Sequence, residues 1–236
     1  MLNNRETSQQ GGNQMGDQIS IKMQDGFELS AYRSLPSAQS KGVVLVIQEI
    51  FGVNAHIREV ADVYATQGYS AIAPALFDRI ERDIELGYAD ADMGKGIELA
   101  FQGLEMAQTM RDLQSVVDHG ATQGAVGVVG YCFGGLLTYL SACQLSGVAA
   151  ASSYYGGGIA GELDHKPKCP LIMHFGELDA HIPMTDVEKI KSANPRIPVH
   201  VYDADHGFNC DHRASYSKQA AELALQRTLA HFDLHL

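Results

Sequence analysis

The stretch Gly127–Leu136, GVVGYCFGGL, runs apolar and then breaks into glycines on both sides of a single cysteine, Cys132. A short β-branched run of this kind reads as a buried parallel strand, and a helix that opens directly after it needs a sharp turn. Gly130 and Gly134 leave room for strand and helix to pass closely, so Gly-x-Cys-x-Gly predicts an elbow that lifts the Cys132 side chain clear of the sheet. A lone cysteine is otherwise most often a small buried hydrophobe. The flanking glycines argue against that reading, because a packed core turn has no reason to strip its neighbours of side chains. At a helix N-terminus the thiolate is also favoured by the unsatisfied N–H groups.

Outward from this elbow, strand and helix alternate. Residues 17–35 alternate polar and apolar around Asp25-Gly26, which predicts an N-terminal hairpin. Val43–Ile47 is a continuous β-branched run, and residues 55–67 place Ile57, Val60, Ala61 and Tyr64 at helical spacing before Gly68. YSAIAPAL is a second buried strand, and residues 106–119 form an amphipathic helix. Strands follow in AVGVVG, VAAASSYY, CPLIMHFG and VHVYDA, and a final helix is predicted from about Tyr216 to Phe232. Residues 77–105 read as a partly helical excursion bordering the site. The prediction is an α/β fold: a doubly wound, mostly parallel sheet with helices on both faces, preceded by an antiparallel hairpin. Ligands in such sheets sit beyond the carboxyl ends of the strands.

Composition narrows the function. Lys and Arg number 17 against 28 acidic residues, a formal charge of −11, which argues against nucleic acid as a partner. Four cysteines without regular spacing point to a reducing compartment rather than a disulfide framework. Residues 1–16 are polar, with neither the basic start nor the apolar stretch of a secretory signal, and no apolar run is long enough for a membrane span. A cytoplasmic protein with a disordered tail over 1–16 and one domain over 17–236 is expected, as a monomer or small homo-oligomer.

A thiol near its ordinary pKa of ~8.5 needs a base. His206, in a loop just past the last predicted strand and beside Gly207, is the first choice among ten histidines. Asp179, three residues past the preceding strand, is the expected orienting carboxylate; Glu177 competes for that role and His181 for the base. The order nucleophile, acid, base is that of the α/β-hydrolases. Glu49 ends a buried strand, either because the strand emerges into water there or because the charge has work to do. The N–H groups of Ile50 and Phe133 would lie on opposite sides of the nucleophile as an oxyanion hole.

Together, QEIFGVNAHIREVADVYATQGYSAIAPALFDR, GVVGYCFGG, SYYGGG, FGELDAHIP and DADHGF make the chain resemble the dienelactone hydrolases, α/β-hydrolases with a cysteine nucleophile, from about residue 17 to the end. The resemblance implies hydrolysis of a small ester or lactone through Cys132, His206 and Asp179, with an acyl-enzyme and no cofactor. It further implies that Glu49 holds the resting thiol and releases it when substrate binds. These enzymes grip a substrate carboxylate with two arginines. Arg79 matches the first, but Cys210 stands at the second position, which leaves Arg213 as a substitute or as a surface residue. Tyr131 and Phe208 are expected beside the substrate. Other readings are a non-dienelactone carboxylesterase of the same family, a sensing protein that uses the cysteine once, and a metal-dependent hydrolase on His206, Asp211 and His212, whose spacing matches no common zinc motif.

Overall fold

The computed structural model describes residues 16–236. All but the last residue of the expected tail, 1–16, lie outside that range; Gly16 donates its N–H to the Tyr32 hydroxyl at 2.8 Å. The elements are β1 (Asp17–Lys22), β2 (Glu28–Ser34), β3 (Val43–Ile47), α1 (Ala55–Thr66), β4 (Ser70–Pro74), α2 (Asp90–Glu98), α3 (Met106–Ala121), β5 (Val126–Tyr131), α4 (Phe133–Gln144), β6 (Val148–Tyr154), β7 (Leu171–Gly176), α5 (Met184–Ala193), β8 (Val199–Tyr202) and α6 (Lys218–His235). One eight-stranded sheet runs in the order β1-β2-β4-β3-β5-β6-β7-β8. β1 pairs antiparallel with β2 and β2 with β4, and every later pairing is parallel. The fold is the α/β-hydrolase arrangement expected.

The β-branched runs form central strands because both faces are covered. Every residue of β3, β4 and β5 is buried. Alternation along β5 assigns the helices to faces. An added Cβ on Gly127 would meet Phe232 of α6 and the Tyr131 hydroxyl reaches Tyr64 of α1, whereas a Cβ on Gly130 would meet α4. α1 and α6 therefore cover one face, and α3 and α4 the other. Among the described residues no helix is long and apolar enough to cross a membrane.

Two helices were not individually legible in the sequence. α5 spans ten residues after Pro183, too few for a clear apolar stripe. α2 continues into a π-helical turn at Leu99–Gly103, where the register breaks, so the excursion carries no single period. α6 begins two residues later than the predicted Tyr216 and runs on to His235.

At the elbow backbone meets backbone. A methyl group on Gly134 would strike the carbonyl oxygens of Ile47 and Gln48, and one on Gly135 the carbonyl of Tyr154, so the first turn of α4 lies directly on the ends of β3 and β6. Backbone atoms cannot yield as a side chain does. We expect Gly134→Ala to lower the unfolding free energy by about 2–4 kcal/mol. Gly94→Ala on α2, where a Cβ meets nothing within 4 Å, should be neutral or slightly stabilising. Urea unfolding midpoints compare the two.

Candidate active site

Cys132 caps the N-terminus of α4 with φ 55° and ψ −114°, a left-handed conformation that a side-chain-bearing residue adopts only under constraint. Its own backbone supplies that constraint. The Cys132 N–H donates to Tyr154 O at 3.1 Å, and its carbonyl accepts from Gly135 and Leu136 at 2.9 and 3.3 Å. The side chain is half-buried and opens into a cavity of about 340 Å³ that Ile50, Phe133, His206 and Arg213 also line.

His206 is held from behind. Its Nδ1 lies 2.7 Å from Asp179 Oδ2, while Asp179 Oδ1 accepts from the N–H groups of His181 and Ile182 at 2.8 and 3.1 Å. Asp179 is buried, so its charge is satisfied by three donors rather than by water. Glu177 is exposed, which settles the geometric competition in favour of Asp179. His181 stands edge-on to His206 at 5.2 Å between ring centroids, on the cavity wall. Burial works against a charged His206, but hydrogen bonds to Asp179 and to Cys132 outweigh it, and the pKa is raised to about 10. The imidazole nearest the nucleophile is thus set to hold a proton beside sulfur.

Ile50 and Phe133 both line the cavity, and among the described residues neither N–H finds an acceptor. Phe133 is the first residue of α4, where an orphan donor is inherent. Ile50 follows the end of β3, past the last ladder bond. Two unpaired donors therefore belong to residues that line the same cavity as Cys132.

Glu49 is fully buried, and neither carboxylate oxygen has a partner among the described residues. The strand does not emerge into water there. The resemblance implied a hydrogen bond from the resting thiol; among the described residues Glu49 accepts none. Burial raises its pKa, opposed by the charges of Arg213 and His206.

Three expected substrate contacts fall elsewhere. The Arg79 guanidinium is bonded to Asp112 at 2.6 and 2.9 Å and to Asp25 at 2.7 and 3.1 Å, stacks on Phe27, and does not line the cavity. Tyr131 is the last residue of β5, and alternation sends its ring to the α1 side, behind the nucleophile. Phe208 is buried among Tyr154, Tyr155 and Tyr202. The cation in the cavity is Arg213. It precedes α6 rather than lying in its first turn, has no salt-bridge partner among the described residues, and sits 5.9 Å from the Phe51 ring centroid and 5.7 Å from that of Tyr88.

Sequence reasoning missed the remaining walls. Met93, Ile97 and Phe101 come from α2 and the π-helical turn, and Phe101 packs edge-on against Phe133 at 5.6 Å. Tyr155, itself left-handed at φ 35°, sets its ring 5.1 Å from His206. Its motif, SYYGGG, was visible, but its role was not. The metal-binding alternative also changes: His206 points to Asp179, and Asp211 and His212 group instead with His56 and Glu59.

The dienelactone hydrolase family model matches residues 29–236. The chain belongs to that family. It is 34% identical over 221 residues to a carboxymethylenebutenolidase of Pseudomonas putida, covering 89% of this chain and 93% of the relative. A Synechocystis protein named "Putative carboxymethylenebutenolidase" is 37% identical over 231 residues, with the same coverage of each. A Klebsiella pneumoniae crystal structure described as a "Putative Dienelactone Hydrolase" superposes with a TM-score of 0.78 at 31% identity, over 92% of this chain and 97% of that one. With its family, the chain is a carboxylic ester hydrolase.

Glu49 offers a test of its isolation. Its raised pKa means that the folded state resists its charge, a cost absent below the unfolded value near pH ~4.5 that grows as pH rises towards the folded value. We expect Glu49→Gln to stabilise the fold by roughly 1–3 kcal/mol at pH 8 and by almost nothing at pH 4.5, read from denaturant unfolding at the two pH values.

Proposed function

We propose that the chain hydrolyses a small ester or lactone through a Cys132–His206–Asp179 triad and a covalent acyl-enzyme. The observation that carries the reading is that Cys132 and His206 line one cavity while His206 Nδ1 is 2.7 Å from a buried carboxylate. His206 takes the thiol proton, and its raised pKa favours the protonated ring. The sulfur attacks the carbonyl carbon, and the oxygen takes up negative charge between the N–H groups of Ile50 and Phe133. His206 returns its proton to the departing alkoxide. Water, deprotonated by the same ring, then attacks the thioester, and the carboxylic acid leaves as the thiol is restored. Asp179 holds the ring orientation throughout and stabilises its positive charge.

The cavity indicates the substrate class. Its walls are apolar apart from His181, His206 and Arg213, so it suits a compact apolar acid or alcohol portion bearing one anionic group. A carboxylate on the substrate would meet Arg213 in place of the two-arginine clamp. Dienelactone-like substrates fit this pattern, and so do other small carboxylate-bearing esters. An anion held by Arg213 would also draw that charge away from Glu49, raising the cost of the Glu49 anion and linking substrate binding to the proton at Glu49.

Cys132→Ala should reduce turnover of an aryl ester by at least about 10⁴-fold with an unchanged circular dichroism spectrum; an unchanged rate removes the reading. One equivalent of product without recycling in the wild type would instead support a protein that uses its cysteine once. For the anion, Arg213→Ala should raise KM for a carboxylate-bearing lactone by roughly 10–100-fold and leave a neutral aryl ester within about threefold. Arg79→Ala should lower thermal stability without separating the two substrates, because its partners are Asp25 and Asp112.

A further inference from the structure

On the α1 side of the sheet, outside the cavity just described, four metal-ligating side chains converge. His56 and Glu59 lie one turn apart on α1, so they project from the same face. Asp211 and His212 come from the loop between β8 and α6. One donor atom from each can be chosen so that all four lie within 4.8 Å of one another. His212 Nε2 is 2.7 Å from a Glu59 oxygen and 3.8 Å from Asp211 Oδ1, and His56 Nδ1 is 3.7 Å from the same Asp211 oxygen.

Those separations approach what one small cation requires. Metal bonds of 2.0–2.2 Å in a tetrahedron place the donors about 3.4 Å apart, and the three separations given bracket that distance. Glu59, Asp211 and His212 are partly or largely exposed, and Glu59 and Asp211 border a cleft of about 190 Å³ through which an ion can enter. His56 is different. It is buried, and its second nitrogen, Nε2, has no hydrogen-bond partner among the described residues.

We propose that His56, Glu59, Asp211 and His212 bind a zinc ion that clips the β8–α6 loop to α1. Two imidazoles and two carboxylates in tetrahedral reach favour Zn²⁺ over Mg²⁺ or Ca²⁺, which prefer all-oxygen shells. Binding opens the His212–Glu59 hydrogen bond, and the His212 ring carries its proton on Nδ1 while Nε2 ligates. It also fixes the His56 proton on Nε2, which shares a buried pocket with Glu49 and Cys210, whose donor atoms lie within 4.8 Å of the His56 ring nitrogen and of one another. The clipped loop is the one that carries His206 and Arg213. The site rests on none of the proposed triad chemistry, so either reading stands if the other fails.

The test is calorimetric titration of the chelator-treated full chain with ZnCl₂, alongside Co²⁺ absorption spectroscopy and thermal unfolding. We expect one zinc per chain, a tetrahedral Co²⁺ spectrum without a sulfur-to-metal charge-transfer band, and a melting temperature raised by about 5–10 °C at zinc one hundred times its Kd. Glu59→Gln combined with His212→Ala alters two side chains that reach solvent, leaves the core intact, and should weaken zinc roughly 100-fold and abolish the thermal shift. No binding, a thiolate band in the cobalt spectrum, or unchanged affinity in the double variant would each overturn the site.

Discussion

The structure depends on the first turn of α4 lying against the ends of β3 and β6 with only glycine between. That closeness forces the chain through a left-handed residue, and the residue is Cys132. A strained position persists only where its surroundings over-determine it. Here three backbone hydrogen bonds and three glycines do so. The same contact that strains the backbone strips the neighbouring N–H groups of acceptors, because a helix beginning abruptly at a strand end has no earlier turn to supply them. The left-handed Cys132 and the unpaired N–H of Phe133 are consequences of one packing choice.

Charge around the elbow follows from burial. Glu49 has no hydrogen bond in a region without solvent, so its ionisation depends on the cations within range, His206 and Arg213. Asp179 is buried too but accepts from three donors, and that difference separates a satisfied carboxylate from one without a partner. Two buried acids at one sheet edge thus have different uses, decided by hydrogen-bond supply and not by depth.

What the sequence disclosed and what it hid divide along the same line. The sheet, its order of strands and helices, and the positions of Cys132, His206 and Asp179 were legible because apolar runs, glycines and strand ends are local signals. Side-chain allegiance is not local. Arg79 carries the right residue type in the right motif, yet Asp112, sixteen-residue α3's buried acid, and Asp25 of the hairpin turn claim it. Tyr131 and Phe208 flank site residues in the chain, but alternation along a strand or a turn in a loop sends their rings away from the cavity. Arg213 stayed open between a substitute cation and a surface residue for a complementary reason: the loop after β8 holds it back from α6 and sets it on the cavity wall, which no periodicity reports.

That loop, residues 203–217, is where the two ends of the molecule's chemistry meet. His206 reaches back to Asp179 across the β7–β8 ends, Arg213 enters the cavity, and Asp211 and His212 face α1. Few backbone hydrogen bonds outside its own turns restrain it; Ser217 to Phe208 at 3.0 Å is one that closes it on itself. The segment carries the proposed base and the cation together. Anchoring its α1 side therefore bears on both at once, and because the donors there exclude Cys132 and His206, an ion at that place neither blocks the cavity nor competes for the thiol. The physical requirement is only that the loop be held in one position, and the cluster on α1 stands where holding it would count.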